Sequence, residues 1–204
     1  MPESIEIQIL SKIKKARRGT AFFADSFATV TNAKAVNKAL ERLEQTGELK
    51  RVATGVYVRP AKDKVIGTVL PSVDEIAVAI AKRDKARILP TGSYAMYKLG
   101  LTTQVPMNIV YYTDGSPRKI KVGKQIITFK KASSRNLAAI GDFSKLAIQA
   151  LRTIGKDNVT AAELHKIKEV LKKEKNHHLQ HDLNLAPVWI RQLLEPERTE
   201  TANE

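Results

Sequence analysis

Across Gly47 the apolar period of this sequence changes from about 3.6 residues to about 2, and that switch restricts the fold more than any other feature of the chain. Upstream, Ala33, Val36, Leu40 and Leu43 share one stripe of a helix expected over 33–46, with Thr31 and Asn32 as candidate caps. Downstream, Leu49 to Val52 and Val56 to Arg59 read as two strands around Ala53-Thr54-Gly55. A helix joined by a tight turn to a hairpin is thereby expected within thirty residues or so.

The residues before this segment supply further elements. Ile5, Ile9, Ile13 and Ala16 recur at helical spacing over 4–16, and the helix is expected to stop near Arg17-Arg18-Gly19. The stretch TAFFADSFA, 20–28, reads as a short helix capped by Thr20. Three helices followed by a two-stranded wing is the order of a winged helix-turn-helix. The expected boundaries are 1–62 for this domain and 63–195 for a second one, with a flexible polar tail at 196–204.

In the second part, residues 60–71 read as a Lys-rich connector between Pro60 and Pro71. Ser72-x-x-Glu75 forms a capping box for a helix to about Lys82, with Val73, Ile76, Ala77 and Ile80 inward. TGSYAMYKLG, 91–100, reads as a short helix capped at Thr91 or Ser93. A strand at 107–113, a turn at Asp114-Gly115-Ser116-Pro117 and a hairpin at 118–131 follow. Helices are expected at 142–154, from Thr160 with Leu164, Ile167 and Leu171 inward, and from Pro187 with Trp189, Ile190 and Leu193 inward. The expected fold class is α+β: an N-terminal winged helix-turn-helix and a C-terminal mixed α/β domain.

Charge points to the partner. The net charge of the chain is +14. Residues 1–60 hold 11 Lys and Arg against 6 Asp and Glu, residues 61–135 hold 14 against 5, and residues 136–204 hold 10 of each. A basic excess confined to the first two-thirds favours a polyanion, because binding releases condensed counterions. With Val36, Leu40 and Leu43 inward, helix 33–46 turns Lys34, Asn37, Lys38 and Glu41 outward on one stripe. Asn pairs with adenine and Lys with guanine or phosphate, so this helix is the candidate for the major groove. Thr31 at its start is a candidate phosphate ligand. Arg17 and Arg18 after the first helix, and Lys50 and Arg51 on the wing, are candidates for backbone contact on either side. Lys119, Lys121, Lys124, Lys130 and Lys131, with Arg135, form a candidate second basic patch at 118–131. A solvated face is the plain alternative for each of these groups.

Other chemistries find less support. The chain has no cysteine, which removes disulfides, thiolate zinc sites and cysteine nucleophiles. Thr91-Gly92-Ser93 is similar to the opening of a nucleotidyltransferase site, yet no Asp-x-Asp follows to hold Mg²⁺. No catalytic residue and no cofactor are expected. His177, His178, His181 and Asp182 lack the further converging ligands that a zinc site needs, and a solvated polar turn is the expectation there. The N-terminal MPESIEIQ has neither a basic nor an apolar signal region, and no stretch approaches the ~20 apolar residues of a membrane helix. A cytoplasmic protein without membrane contact is expected.

Two runs carry a family resemblance. RGTAFFADSF with NAKAVNKALERLEQTGELKRVATGVYVRP resembles the winged helix of AbiEi-type antitoxins of type IV toxin–antitoxin systems. ILPTGSYAMYKLGLTTQVP with NIVYYTDGSPRKIKVGKQIITFKKA resembles the second domain of the same family. The resemblance implies a repressor that binds inverted repeats in double-stranded DNA upstream of its own operon. It also implies opposition to a nucleotidyltransferase-like toxin without a stable complex. A regulator of unrelated genes, or a winged-helix adaptor for protein or RNA, remains the alternative.

Overall fold

The computed structural model describes residues 4–195, and the tail expected at 196–204 lies outside the described residues. The fold mixes α and β, as expected, and the chain divides into two compact units. One comprises residues up to Asp84 together with 119–127, and the other comprises 85–118 with 128 onward.

The first unit opens with α1 (Ile5–Lys15), whose N-terminus is capped by Ser4 Oγ accepting from Ile7 N–H. Then come β1 (Ala21–Phe22), a 3-10 turn (Ala24–Phe27), α2 (Ala33–Gln45), β2 (Lys50–Ala53) and β3 (Val56–Val58). The three strands form one sheet in the order β1-β3-β2. Asn32 caps α2 by accepting from Ala35 N–H at 3.0 Å. Ile9 and Ile13 of α1 pack with Phe22, Phe27, Val36, Leu40, Leu43, Leu49 and Tyr57 in one buried cluster. Ala39, and not the exposed Ala33, completes the inner stripe of α2, because a helix capped at Asn32 has its first turn outside the core.

Segment 20–28 departs from expectation. Thr20 caps no helix. Instead Arg59 N–H donates to its carbonyl, and β1 pairs antiparallel with β3 through Ala21↔Val58 and Phe22↔Tyr57. Only the second half is helical, with Ser26 Oγ accepting from Phe23 N–H. The Lys-rich connector is also structured: β4 (Ala61–Asp63) and β5 (Gly67–Val69) pair as an antiparallel hairpin. The first stretch of the unit, up to Asp84, ends in α3 (Val73–Arg83), whose capping box joins Ser72 and Glu75.

The second unit begins with β6 (Ile88–Pro90) and α4 (Ser93–Lys98), followed by β7 (Asn108–Thr113). Neither Thr91 nor Ser93 caps α4. Gly92 occupies the cap position, while the buried Thr91 hydroxyl donates to Gln149 Oε1 at 3.3 Å. The chain then forms the hairpin of β8 (Arg118–Val122) and β9 (Gln125–Lys131), whose residues 119–127 belong to the first unit, and the strand order of this sheet is β6-β7-β9-β8. Four helices finish the described chain: α5 (Ser144–Ile154), α6 (Ala161–Leu171), α7 (Asn176–Leu185) and α8 (Val188–Leu194). Leu146, Leu151, Ile167, Leu171, Leu183, Ile190 and Leu194 build their common core. Leu194 is the buried leucine of α8, and Leu193 is half-buried. Among the described residues no helix is long and apolar enough to cross a membrane.

The segment 176–185, expected to be a polar turn, is α7. Its Asp182 is fully buried and accepts from Ile140 N–H (2.8 Å), Gly141 N–H (2.9 Å), Ser144 Oγ–H (2.5 Å) and His181 Nδ1 (2.9 Å). Glu174 accepts from the N–H groups of Phe143 (2.7 Å) and Ser144 (3.2 Å). Two carboxylates thus hold the backbone that leads into α5, where free N–H groups favour negative charge. A Cβ on Gly141 would lie 2.6 Å from Glu174 Oε2 and 2.1 Å from Ser144 Oγ, so only glycine fits beneath this pair.

Candidate nucleic-acid interface

On α2 the residues Lys34, Asn37, Lys38 and Glu41 are all exposed, and the helical repeat sets them on one outward stripe. Cap formation by Asn32 leaves Thr31 half-buried just ahead of the helix and without a capping role. Arg42, on the flank nearer α1, reaches Glu6 at 3.4 Å. Asn37 and Lys38 are left as the outward donors at the centre of the helix.

Strands β2 and β3 follow this helix directly in sequence. Lys50 and Arg51 are exposed, with Lys50 opposite Val58 and Arg51 opposite Tyr57. The Arg51 guanidinium lies 6.0 Å from the centre of the Tyr57 ring, a cation–π contact that limits the freedom of a long side chain. Burial pushes the Tyr57 hydroxyl above its ordinary value, and Arg51 opposes that shift. Arg17 and Arg18 are exposed in the loop between α1 and β1.

That loop depends on a residue for which the sequence carries no local signal. Arg59 donates from Nη1 to the carbonyl oxygens of Lys14 and Ala16, both at 2.7 Å. A cation at the C-terminal end of α1 satisfies carbonyls that the helix leaves open and complements its dipole. Arg59→Ala is expected to destabilise the chain by about 1–2 kcal/mol. Urea denaturation checks this, and a midpoint unchanged from the parent would show that water replaces the guanidinium.

On the hairpin of β8 and β9, Lys119, Lys121, Lys124 and Lys130 are exposed. Lys131 is engaged: its ammonium donates to the carbonyls of Asp114 (2.5 Å) and Gly115 (3.5 Å) and holds the 114–117 turn. Asp114 is fixed as well, accepting from Arg87 N–H at 2.7 Å and Arg87 Nε at 2.8 Å, and those bonds hold its carboxyl below the ordinary value. Asp114 is thus tied to Arg87, and the Thr91 hydroxyl to Gln149.

Among the described residues no three His, Asp or Glu side chains converge to hold a metal ion. His178 reaches Glu174 at 3.4 Å and His181 reaches Asp182 at 2.9 Å, so both rings support the carboxylates beneath α5. The first unit also carries an open groove of about 690 Å³ lined by Thr20, Phe23, Asp25, Asp74, Val78 and Arg83. Arg83 lies over the Phe23 ring at 4.6 Å and forms one wall.

The sequence matches, over residues 8–179, a family described as a family of unknown function, DUF6088. The chain belongs to the DUF6088 family. The matched span runs from within α1 into α7 and includes α2 and Glu174 of this DUF6088 chain. No curated protein matches it. Among solved structures it is similar to the RV2827C protein from Mycobacterium tuberculosis, with 11% identity and a TM-score of 0.45, over 94% of this chain and 81% of that one.

Proposed function

We propose that this DUF6088 chain binds duplex DNA through a winged helix-turn-helix formed by α1, the 3-10 turn, α2 and the β1-β3-β2 sheet. The observation that carries the proposal is the outward stripe of Lys34, Asn37, Lys38 and Glu41 on a helix directly followed by the β2–β3 turn with exposed Lys50 and Arg51. Helix α2 enters the major groove, and its N-terminal half meets base edges. Asn37 reads adenine and Lys38 reads guanine or a phosphate. Lys50 and Arg51 on the wing, and Arg17 and Arg18 on the other side, bind the sugar–phosphate backbone and set the register.

The likeness of the sequence to AbiEi-type antitoxins extends the proposal to biology. The chain represses its own toxin–antitoxin operon from inverted repeats upstream. It opposes a nucleotidyltransferase-like toxin without a lasting complex, acts in the cytoplasm, and catalyses no reaction itself. Anisotropy titration tests the core of this, using DNA upstream of the gene, a scrambled duplex, and two salt concentrations. Affinity for the upstream DNA of ~10³-fold or more over the scrambled duplex is expected. Equal, salt-sensitive binding to both duplexes would leave only a basic nucleic-acid binder, and absence of binding would point to an adaptor.

Arg51→Ala is expected to weaken binding to both duplexes and to lower the slope of log K against log salt by about 1. An unchanged slope would remove Arg51 from phosphate contact and leave it a partner of Tyr57 alone.

A further inference from the structure

Strands β4 and β5 bury almost nothing of their own. Ala61 is half-buried, and Lys62, Asp63, Gly67, Thr68 and Val69 are exposed. At the tip Val65 is 91% exposed and Ile66 72%. A two-stranded ribbon without an apolar face gains little from pairing in water. Its form is instead imposed by the turn. Asp63 Oδ1 accepts from Val65 N–H (2.8 Å) and Ile66 N–H (3.0 Å), and Gly67 sits at a φ of +77° that side chains resist. The turn therefore engages the one carboxylate of the ribbon in its own backbone. Two apolar side chains are left exposed at the end, with Lys62 and Lys64 immediately before them. Only Arg59 and Pro60 separate β4 from β3, so the ribbon leaves the same sheet that carries Lys50 and Arg51.

We infer that the β4–β5 hairpin is a DNA arm, in which Val65 and Ile66 wedge into a base step from the minor groove and Lys62 and Lys64 bind the flanking phosphates. This rests on the DNA-binding function proposed above. The size of the apolar feature favours DNA over a protein partner. A specific protein interface covers about 800 Å² on each side, which two side chains do not supply. A groove wedge consists of one or two apolar side chains on a basic support. Length fits as well. Three paired residues rise roughly 10 Å at about 3.4 Å each, against a minor-groove depth of about 7.5 Å. The lysines complement the polyanion, and a wedge inserted there bends the duplex toward the major groove.

The test uses the full chain and upstream DNA with a fluorophore at each end, read by anisotropy for affinity and by energy transfer for bending. The variants are Val65→Ser with Ile66→Ser, and Lys62→Ala with Lys64→Ala. All four side chains are exposed, so melting curves matching the parent are expected and loss of fold does not confuse the result. The parent is expected to bend the DNA by about 20–90°. The serine pair is expected to bind ~10-fold more weakly with less bending and an unchanged salt slope, since apolar contacts release no counterions. The alanine pair is expected to keep the bend at saturation and to lower the slope by about 2. Equal affinity and equal bend for the serine pair and the parent would overturn the arm while leaving DNA binding intact. A serine pair that turns a dimer into a monomer in sedimentation, with the bend unchanged, would overturn it in favour of self-association. A parent that binds no DNA would overturn the proposed function itself.

Discussion

Asp182→Ala is expected to destabilise the protein by about 3–5 kcal/mol, the range for removing one partner from a buried, fully bonded charge. The side chain has no exposure and receives four donors, two of them backbone N–H groups of Ile140 and Gly141. Alanine leaves those groups and the Ser144 hydroxyl buried without an acceptor, and each carries its own desolvation penalty. Urea midpoints with an unchanged denaturant slope are the measurement. A loss under about 1 kcal/mol would mean that the 140–144 segment relaxes and water takes the place of the carboxylate.

Acid should have a graded version of the same effect. Burial pushes the Asp182 carboxyl up, yet the bonds from Ser144, His181, Ile140 and Gly141 outweigh burial and hold it below its ordinary value. Glu174 is held low in the same way by the N–H groups of Phe143, Ser144 and Lys175 and by His178, again against the effect of burial. Folded-state values below the unfolded ones mean that the stabilisation is fully present above the unfolded values of about 3.9 and 4.3 and is lost as pH falls through the folded ones. Stability is therefore expected to drop on acidification below about pH 4, and Asp182→Asn with Glu174→Gln to flatten that drop. An unchanged acid limb in the double variant would assign the drop to other carboxylates.

Asn37→Ala carries the largest expected effect on function. On the specific duplex it should cost about 1–3 kcal/mol, the worth of one bidentate base contact, and on the scrambled duplex almost nothing. Its exposed position on α2 makes a folding defect an inadequate explanation for such a loss. A uniform loss on both duplexes would show that Asn37 positions the protein against phosphate and reads no base.

What was legible in the sequence divides by the range of the interactions involved. Helix α2 was legible because Asn32 caps it three residues from Ala35 and its apolar stripe lies within a dozen positions. The capping boxes at Ser72 and Thr160, and the β8–β9 turn at Gly123-Lys124, were legible for the same local reason. Strand β1 was not. Ala21 and Phe22 have no alternation to display, and they are a strand only because Val58 and Tyr57 pair with them. The β4–β5 hairpin was hidden by its composition, since exposed lysines give no period, although Asp63 and Gly67 around a three-residue loop were a usable turn signal.

The candidate interface divides in the same way. The outward stripe of α2 followed from helix geometry alone, whereas the capping of α1 by Arg59 joins residues 43 and 45 positions apart. Asp182 drew attention for its neighbouring histidines. Its partners, Ile140, Gly141 and Ser144, are 38 to 42 residues upstream and carry no chemical mark of their own.

That separation bears on how the protein is made. A ribosome releases residues 140–144 well before Asp182, so the start of α5 emerges with only water to accept from the N–H groups that Glu174 and Asp182 later engage. Helix α5 is central to the second core, with Leu146, Ala147, Ala150 and Leu151 all buried. The second unit therefore cannot consolidate as it is synthesised, and has to wait until α7 has cleared the exit tunnel. Nascent chains stalled before Leu185 has emerged would expose those apolar residues to chaperones, while the cluster built on α1, α2 and β3, whose last member is Tyr57, would already have all its residues.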